Sequence, residues 1–187
     1  MDVAFAISAT AFQSGANFKK MQDTIKEFVD RLGVHGRVHY ALVTFGDPPT
    51  THLQFSNKSS SLTALKDLIE NVPIPSNEAA LDKALTTAKV LFSPVAGGRV
   101  DAKKILVVMT DRESDSSSED AMKSSKQVTD EGIRVIAVPL GDEDNVNEVK
   151  TIVSIKEDVI KPNVTDEPRD IADKIIDNIL DGELRFM

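Results

Sequence analysis

The run FAISATAFQSG, Phe5 to Gly15, decides how the chain is built. A continuous apolar segment stops at Ser8, passes Thr10 and Phe12, and opens into a loop of small residues just ahead of an amphipathic helix. Continuous apolar runs rich in β-branched residues fit strands covered on both faces. In an open α/β sheet, such a crossing from strand to loop is where a ligand is held. What matters is therefore which groups this loop offers at the mouth of the sheet.

Working outward, further runs of the same kind lie at Val3 to Ile7, Tyr40 to Phe45, Ile105 to Met109 and Val135 to Val138. Helical periods separate them. Phe18, Met21, Ile25, Phe28, Val29 and Leu32 recur at helical spacing among charged residues, and Gly33 is a stop. Leu62, Leu65, Leu68 and Ile69 form a shorter helix with Ser61 as its N-cap, ended by Pro73 and Pro75. A helix from about Glu78 to Leu91 carries Leu81, Ala84, Leu85 and Ala88 on one side. Ser117 to Asp120 suits a variant capping box for a helix ending before Gly132, and Asp144 suits the cap of another that buries Val149, Ile152 and Val153. Pro168 opens the last helix, whose stripe is Ile171, Ile175, Ile176, Ile179 and Leu180.

His52 to Phe55 alternates like an edge strand, antiparallel to its neighbour through the turn Gly46-Asp47-Pro48-Pro49, and a sixth strand is expected near Asp158 to Ile160. No repeat or linker divides the chain. The element order predicts one domain over 1–187: an α/β fold with a doubly wound, mostly parallel six-stranded sheet, one antiparallel edge strand and helices on both faces.

Composition narrows the function. With 187 residues, 41% apolar and 28% charged, the chain can bury one core without staples. A net charge of -8 argues against a nucleic-acid groove and against anionic membranes, since both need clustered Lys and Arg. There is no cysteine, so no disulfide and no thiolate zinc site. Neither a signal-peptide h-region nor an apolar run of about 18 residues is found, so the chain is expected to be intracellular or a piece of a longer secreted protein, with no membrane insertion. Two sequons, at Asn57 and Asn163, are candidate glycosylation sites in the second case.

The segments DVAFAISATAFQSGANFKKM, ALVTFGD, SNEAALDKAL, ILVVMTDRESDSSSED and GIRVIAVPLG together resemble, in their order, the von Willebrand factor A domain, from Asp2 to about Leu180. Within that family the likeness is greatest to the non-collagenous A modules of collagen VI. The resemblance implies a Rossmann-like sheet whose strand ends form a metal-ion-dependent adhesion site. There Ser8 stands for the first Asp, Thr10 for the first Ser, Phe12 for the second Ser, Asn77 at about the Thr position, and Asp111 for the remaining Asp, with Arg112 where Gly usually follows.

Magnesium takes near-octahedral oxygen coordination and loses its water reluctantly, so carboxylate charge and hydroxyl number decide whether a site holds it. Ser8 removes one charge, and Phe12 supplies no oxygen. The expectation is a degenerate site with no metal and no cofactor, in which Asp111 is satisfied by Ser8 or Thr10 hydroxyls, by Arg112 or by backbone N–H groups.

Other chemistry is thinly signalled. His35, His39 and His52 have no ligand or triad spacing, Ser14-Gly15 lacks a nucleophile elbow, and Gly97-Gly98-Arg99 reads as a flexible loop rather than a phosphate cradle. Asp111, Glu113, Asp115, Glu119 and Asp120 fit no EF-hand spacing and read as a solvated acidic face. The function that the resemblance implies is that of a secreted extracellular matrix module, not an enzyme, and the residues permit it. It would bind other matrix proteins or neighbouring A modules without a metal, in microfibril assembly or cell adhesion. The alternative is a metal-dependent adhesion domain of the integrin I type; a doubly wound enzyme or nucleotide binder is the third reading, and it lacks a nucleophile, a base and a phosphate loop.

Overall fold

The computed structural model describes residues 1–8, 15–34, 36–57, 61–75, 80–112 and 114–185, with 183–185 as backbone only. Among the described residues five strands are formed: β1 (Asp2–Ser8), β2 (His39–Thr44), β3 (Thr50–Leu53), β4 (Lys104–Thr110) and β5 (Ile133–Pro139). They lie in the order β3-β2-β1-β4-β5. β2, β1, β4 and β5 run parallel, and β3 pairs antiparallel to β2 at the edge. The described α-helices that cover the sheet are α1 (Gly15–Leu32), α2 (Leu62–Glu70), α3 (Leu81–Leu91), α4 (Ser118–Thr129), α5 (Glu143–Lys150) and α6 (Pro168–Arg185).

The alternation along β1 divides the core in two. Val3, Phe5 and Ile7 pack with Phe18, Met21, Ile25 and Phe28 of α1 and with Ile171 and Ile175 of α6. Phe5 meets Phe28 edge to face, with ring centroids 5.2 Å apart. Ala4 and Ala6 face the other way, joining Ala41 of β2 and Ala84, Leu85 and Ala88 of α3. Small side chains on both partners let α3 sit close to the sheet. All seven residues of β1 are buried, as expected of a central parallel strand.

Most expected elements are in place, and the departures have local causes. There is no sixth strand among the described residues. Val159 makes a single parallel bridge to Ala137. Asp158 just before it ends a 3₁₀ turn and is drawn to Arg134, and Pro162 beyond it has no N–H to extend a ladder. The edge strand is Thr50–Leu53, two residues earlier than its alternation suggested. Asp142, not Asp144, caps α5, because its carboxylate accepts from Asn145 N at 3.1 Å. Leu180 falls on the flank of α6 and is exposed, whereas Ile171, Ile175 and Ile179 are buried. Helix α3 is described from Leu81; residues 76–79, where its start was expected, lie outside the described residues.

The Gly97-Gly98-Arg99 loop is packed rather than flexible. A Cβ at position 98 would come within 2.1 Å of the Phe92 carbonyl oxygen. This close approach delivers Arg99 to Asp2, which is fully buried: Arg99 donates to the carboxylate from its backbone N at 2.7 Å, from Nε at 2.8 Å and from Nη2 at 2.6 Å.

Candidate functional site

The parallel strands deliver their C-terminal ends to one mouth. β1 ends at Ser8, which lies in register with Thr110 of β4, and both are buried. Asp111 follows at 6% exposure, the one carboxylate that β1 or β4 brings to the mouth among the described residues. Its Oδ2 accepts from Asn17 Nδ2 in the first turn of α1 at 3.3 Å. Asn17 was not singled out in the sequence. The clue was available, since the first turn of the helix after a strand-end loop points back at that loop.

Beyond Asp111 the β4–α4 loop is tied down from three sides. Thr110 Oγ1 donates to the Arg112 carbonyl at 2.9 Å, and Asn145 Nδ2 donates to the same oxygen at 2.7 Å. Asn145 is completely buried, and its Oδ1 accepts from Gly141 N, so one amide fastens the β4–α4 loop to the β5–α5 turn. Gly141 has to be glycine there: a Cβ would lie 2.2 Å from the Asp111 carbonyl oxygen. From α5, Glu148 reaches Ser114, whose backbone N donates to both carboxylate oxygens at 3.0 Å and whose Oγ also donates to one of them. From α3, Asp82 accepts from Ser116 Oγ at 2.5 Å. Ser117 then caps α4 by accepting from Asp120 N at 3.1 Å, with its own hydroxyl given to the Asp120 carboxylate.

Of the candidate residues, two described ones meet at the strand ends. Ser8 and Asp111 share the mouth, while Thr10, Phe12 and Asn77 lie outside the described residues. The acidic run splits up. Asp115 pairs with Arg112 at 2.8 Å, Glu119 and Asp120 are exposed in the first turn of α4, and Glu113 lies outside the described residues. His39 sits at the start of β2, whereas His52 Nε2 is 2.9 Å from Thr44 Oγ1 at its other end; His35 lies outside the described residues. Burial holds the imidazole of His52 below its ordinary pKa. Asn57 and Asn163 are both exposed.

A magnesium ion takes six oxygen ligands, usually with one or two carboxylates among them. The described groups at the strand ends offer one carboxylate, already engaged by an amide, and two buried hydroxyls, one of which donates to a carbonyl. Among the described residues, no three His, Cys, Asp or Glu side chains are placed to share a metal. None of the described helices is long and apolar enough to cross a membrane.

Comparison with known proteins bears on what such a mouth is for. The sequence profile of the von Willebrand factor type A domain matches residues 2–174. The collagen alpha-1(XII) chain of Notophthalmus viridescens is 28% identical over 167 residues, covering 88% of this chain and 17% of that one. The collagen alpha-5(VI) chain of Mus musculus is 25% identical over 174 residues, covering 91% of this chain and 6% of that one. The chain thus spans less than a fifth of the length of either relative. Proximal thread matrix protein 1 from the mussel byssus, in a structure described as having a zinc-occupied MIDAS motif, superposes with a TM-score of 0.79 at 24% identity, over 94% of this chain and 47% of that one. That degree of identity speaks for the fold alone.

Proposed function

Because the chain belongs to the von Willebrand factor type A domain family, we propose that it is a protein–protein interaction module of an extracellular matrix assembly, and that it binds its partners without a divalent cation. Its partners on this reading are other matrix proteins or neighbouring A modules, in microfibril assembly or cell adhesion. Kinship with two collagen chains supports the setting. The same reading makes the domain a binder and not a catalyst.

One observation carries the metal-independent part. Asp111, the carboxylate that the family resemblance assigns to the metal cage, takes an amide hydrogen bond from Asn17, and the strand beside it ends in Ser8 instead of a second carboxylate. Two facing carboxylates need a cation between them, whereas one carboxylate and an amide do not. The loop that follows turns the Arg112 carbonyl, Ser114 and Ser116 toward Asn145, Glu148 and Asp82, which supports a strand-end face preset by the protein's own hydrogen bonds.

The byssus protein, with zinc in its MIDAS motif, favours the competing reading of metal-dependent adhesion. A binding screen against matrix proteins and neighbouring A modules separates the two. Run in parallel in EDTA and in millimolar magnesium, the metal-independent account requires the same partners at the same affinity in both. Capture that vanishes in EDTA and returns with magnesium overturns it.

A further inference from the structure

We propose that Asn163 carries an N-linked glycan, and that this glycan walls the strand-end face on its β5 side. The triplet Asn163-Val164-Thr165 is an acceptor sequon. All three residues are exposed, and Val164, an apolar side chain with no folding role there, is at 101% of its reference exposure. Asp166 fixes the turn: it accepts from Asn163 N at 2.8 Å and from Asn163 Nδ2 at 3.3 Å, and Lys174 pairs with the same carboxylate.

An amide nitrogen has two hydrogens, and Asp166 uses one. The other is free to be replaced. In the transfer, Nδ2 attacks the anomeric carbon of an oligosaccharide carried on a polyprenyl pyrophosphate. The N–C bond forms, the C–O bond to pyrophosphate breaks, the displaced proton passes to a base of the transferase, and polyprenyl pyrophosphate leaves. The product keeps one N–H, so the contact with Asp166 survives modification and the turn need not rearrange.

The topology places the sugar. Val159 bridges Ala137 in parallel and Ile160 N donates to the Ala137 carbonyl at 2.8 Å, so the chain runs beside β5 toward its C-terminal end. It passes Lys161, which pairs with Glu143 in the first turn of α5 at 2.7 Å, before reaching Asn163. Asn163 therefore emerges at the rim of the mouth, two strand spacings or about 10 Å to the side of the line of β4. A glycan there leaves a large partner the approach over β1 and β2. The extracellular setting of this proposal rests on the function proposed above; the acceptor geometry does not.

The test is expression of the chain behind a supplied secretion signal in a eukaryotic cell, as wild type, N163Q, T165A and N57Q. T165A keeps the asparagine and removes the sequon hydroxyl at an exposed position. Glycopeptide mapping should find Asn163 occupied in wild type and N57Q and bare in N163Q and T165A, with all four secreted and melting alike. A folded, secreted wild type with bare Asn163, or occupancy that survives T165A, overturns the acceptor assignment and leaves the metal-independent reading untouched. For the rim, acetylation of Lys161 should be slower in the glycosylated chain than in the enzymatically trimmed one, with Lys83, paired with Asp47 beside the β2–β3 turn, unchanged. Equal rates at Lys161 overturn the placement.

Discussion

Replacing Glu148 by alanine tests whether the strand-end face is built from inside. Glu148 is 7% exposed and sits in the last turn of α5, where the helix dipole disfavours a negative charge by about 0.3–1 kcal/mol. Its presence there is explained by Ser114, whose N–H and hydroxyl both donate to it. Hydrogen bonds to a charged group contribute about 1.5–3 kcal/mol each. Two such donors, less the relieved dipole term and a discount for partial solvation, leave a net loss of about 2–4 kcal/mol. In a domain of this length each kcal/mol moves Tm by about 2–4 °C, so Glu148→Ala should lower Tm by roughly 5–15 °C. A double-mutant cycle with Ser114→Ala should give a coupling of about 1–2 kcal/mol, and the amide of Ser114 should exchange faster in either variant. Additivity within about 0.5 kcal/mol, with unchanged exchange at Ser114, would refute the idea that this acid holds the loop.

Other perturbations probe neighbouring parts of the scaffold. Arg99→Ala takes the guanidinium from the buried Asp2 carboxylate, leaving it the backbone N–H of residue 99, and should cost about 3 kcal/mol in urea unfolding, while Asp2→Asn combined with Arg99→Met should lie much nearer wild type. Gly141→Ala drives a Cβ into the Asp111 carbonyl and should destabilise by about 1–3 kcal/mol, with the largest chemical-shift changes at Asp111 and Asn145. His52 is held below its ordinary pKa of 6.5 by burial, so the unfolded chain takes up its proton first as pH falls. The contribution of neutral His52 is thus present above pH 6.5 and lost as pH drops below it toward the folded value. His52→Gln should flatten that part of the stability–pH curve.

The sheet was legible because its strands are buried on both faces and therefore apolar without interruption. Val3 to Ile7 and Ile105 to Met109 needed no further context. What escaped were features made by contact between distant segments. Arg99 finds Asp2 across 97 positions, and neither residue signals the other; two adjacent glycines looked like freedom when they were close packing. The α5 cap moved from Asp144 to Asp142 because several acids in a row each satisfy the local rule, and the turn after Gly141 chose between them. At the candidate site, Ser8 and Asp111 were identifiable from strand ends alone. Asn17, Asn145 and Glu148 were not, since each acts on a loop that arrives from elsewhere in the chain.

The central claim is that this mouth holds Asp111 with an amide and binds its partners without a dication. Isothermal titration of the chain with millimolar manganese or magnesium measures that directly. The account predicts no saturable heat and an unchanged Tm, whereas an ion at a hundredfold excess over its Kd would stabilise the fold by about 2.7 kcal/mol. Uptake of one ion per chain, abolished by Asp111→Asn, would contradict it.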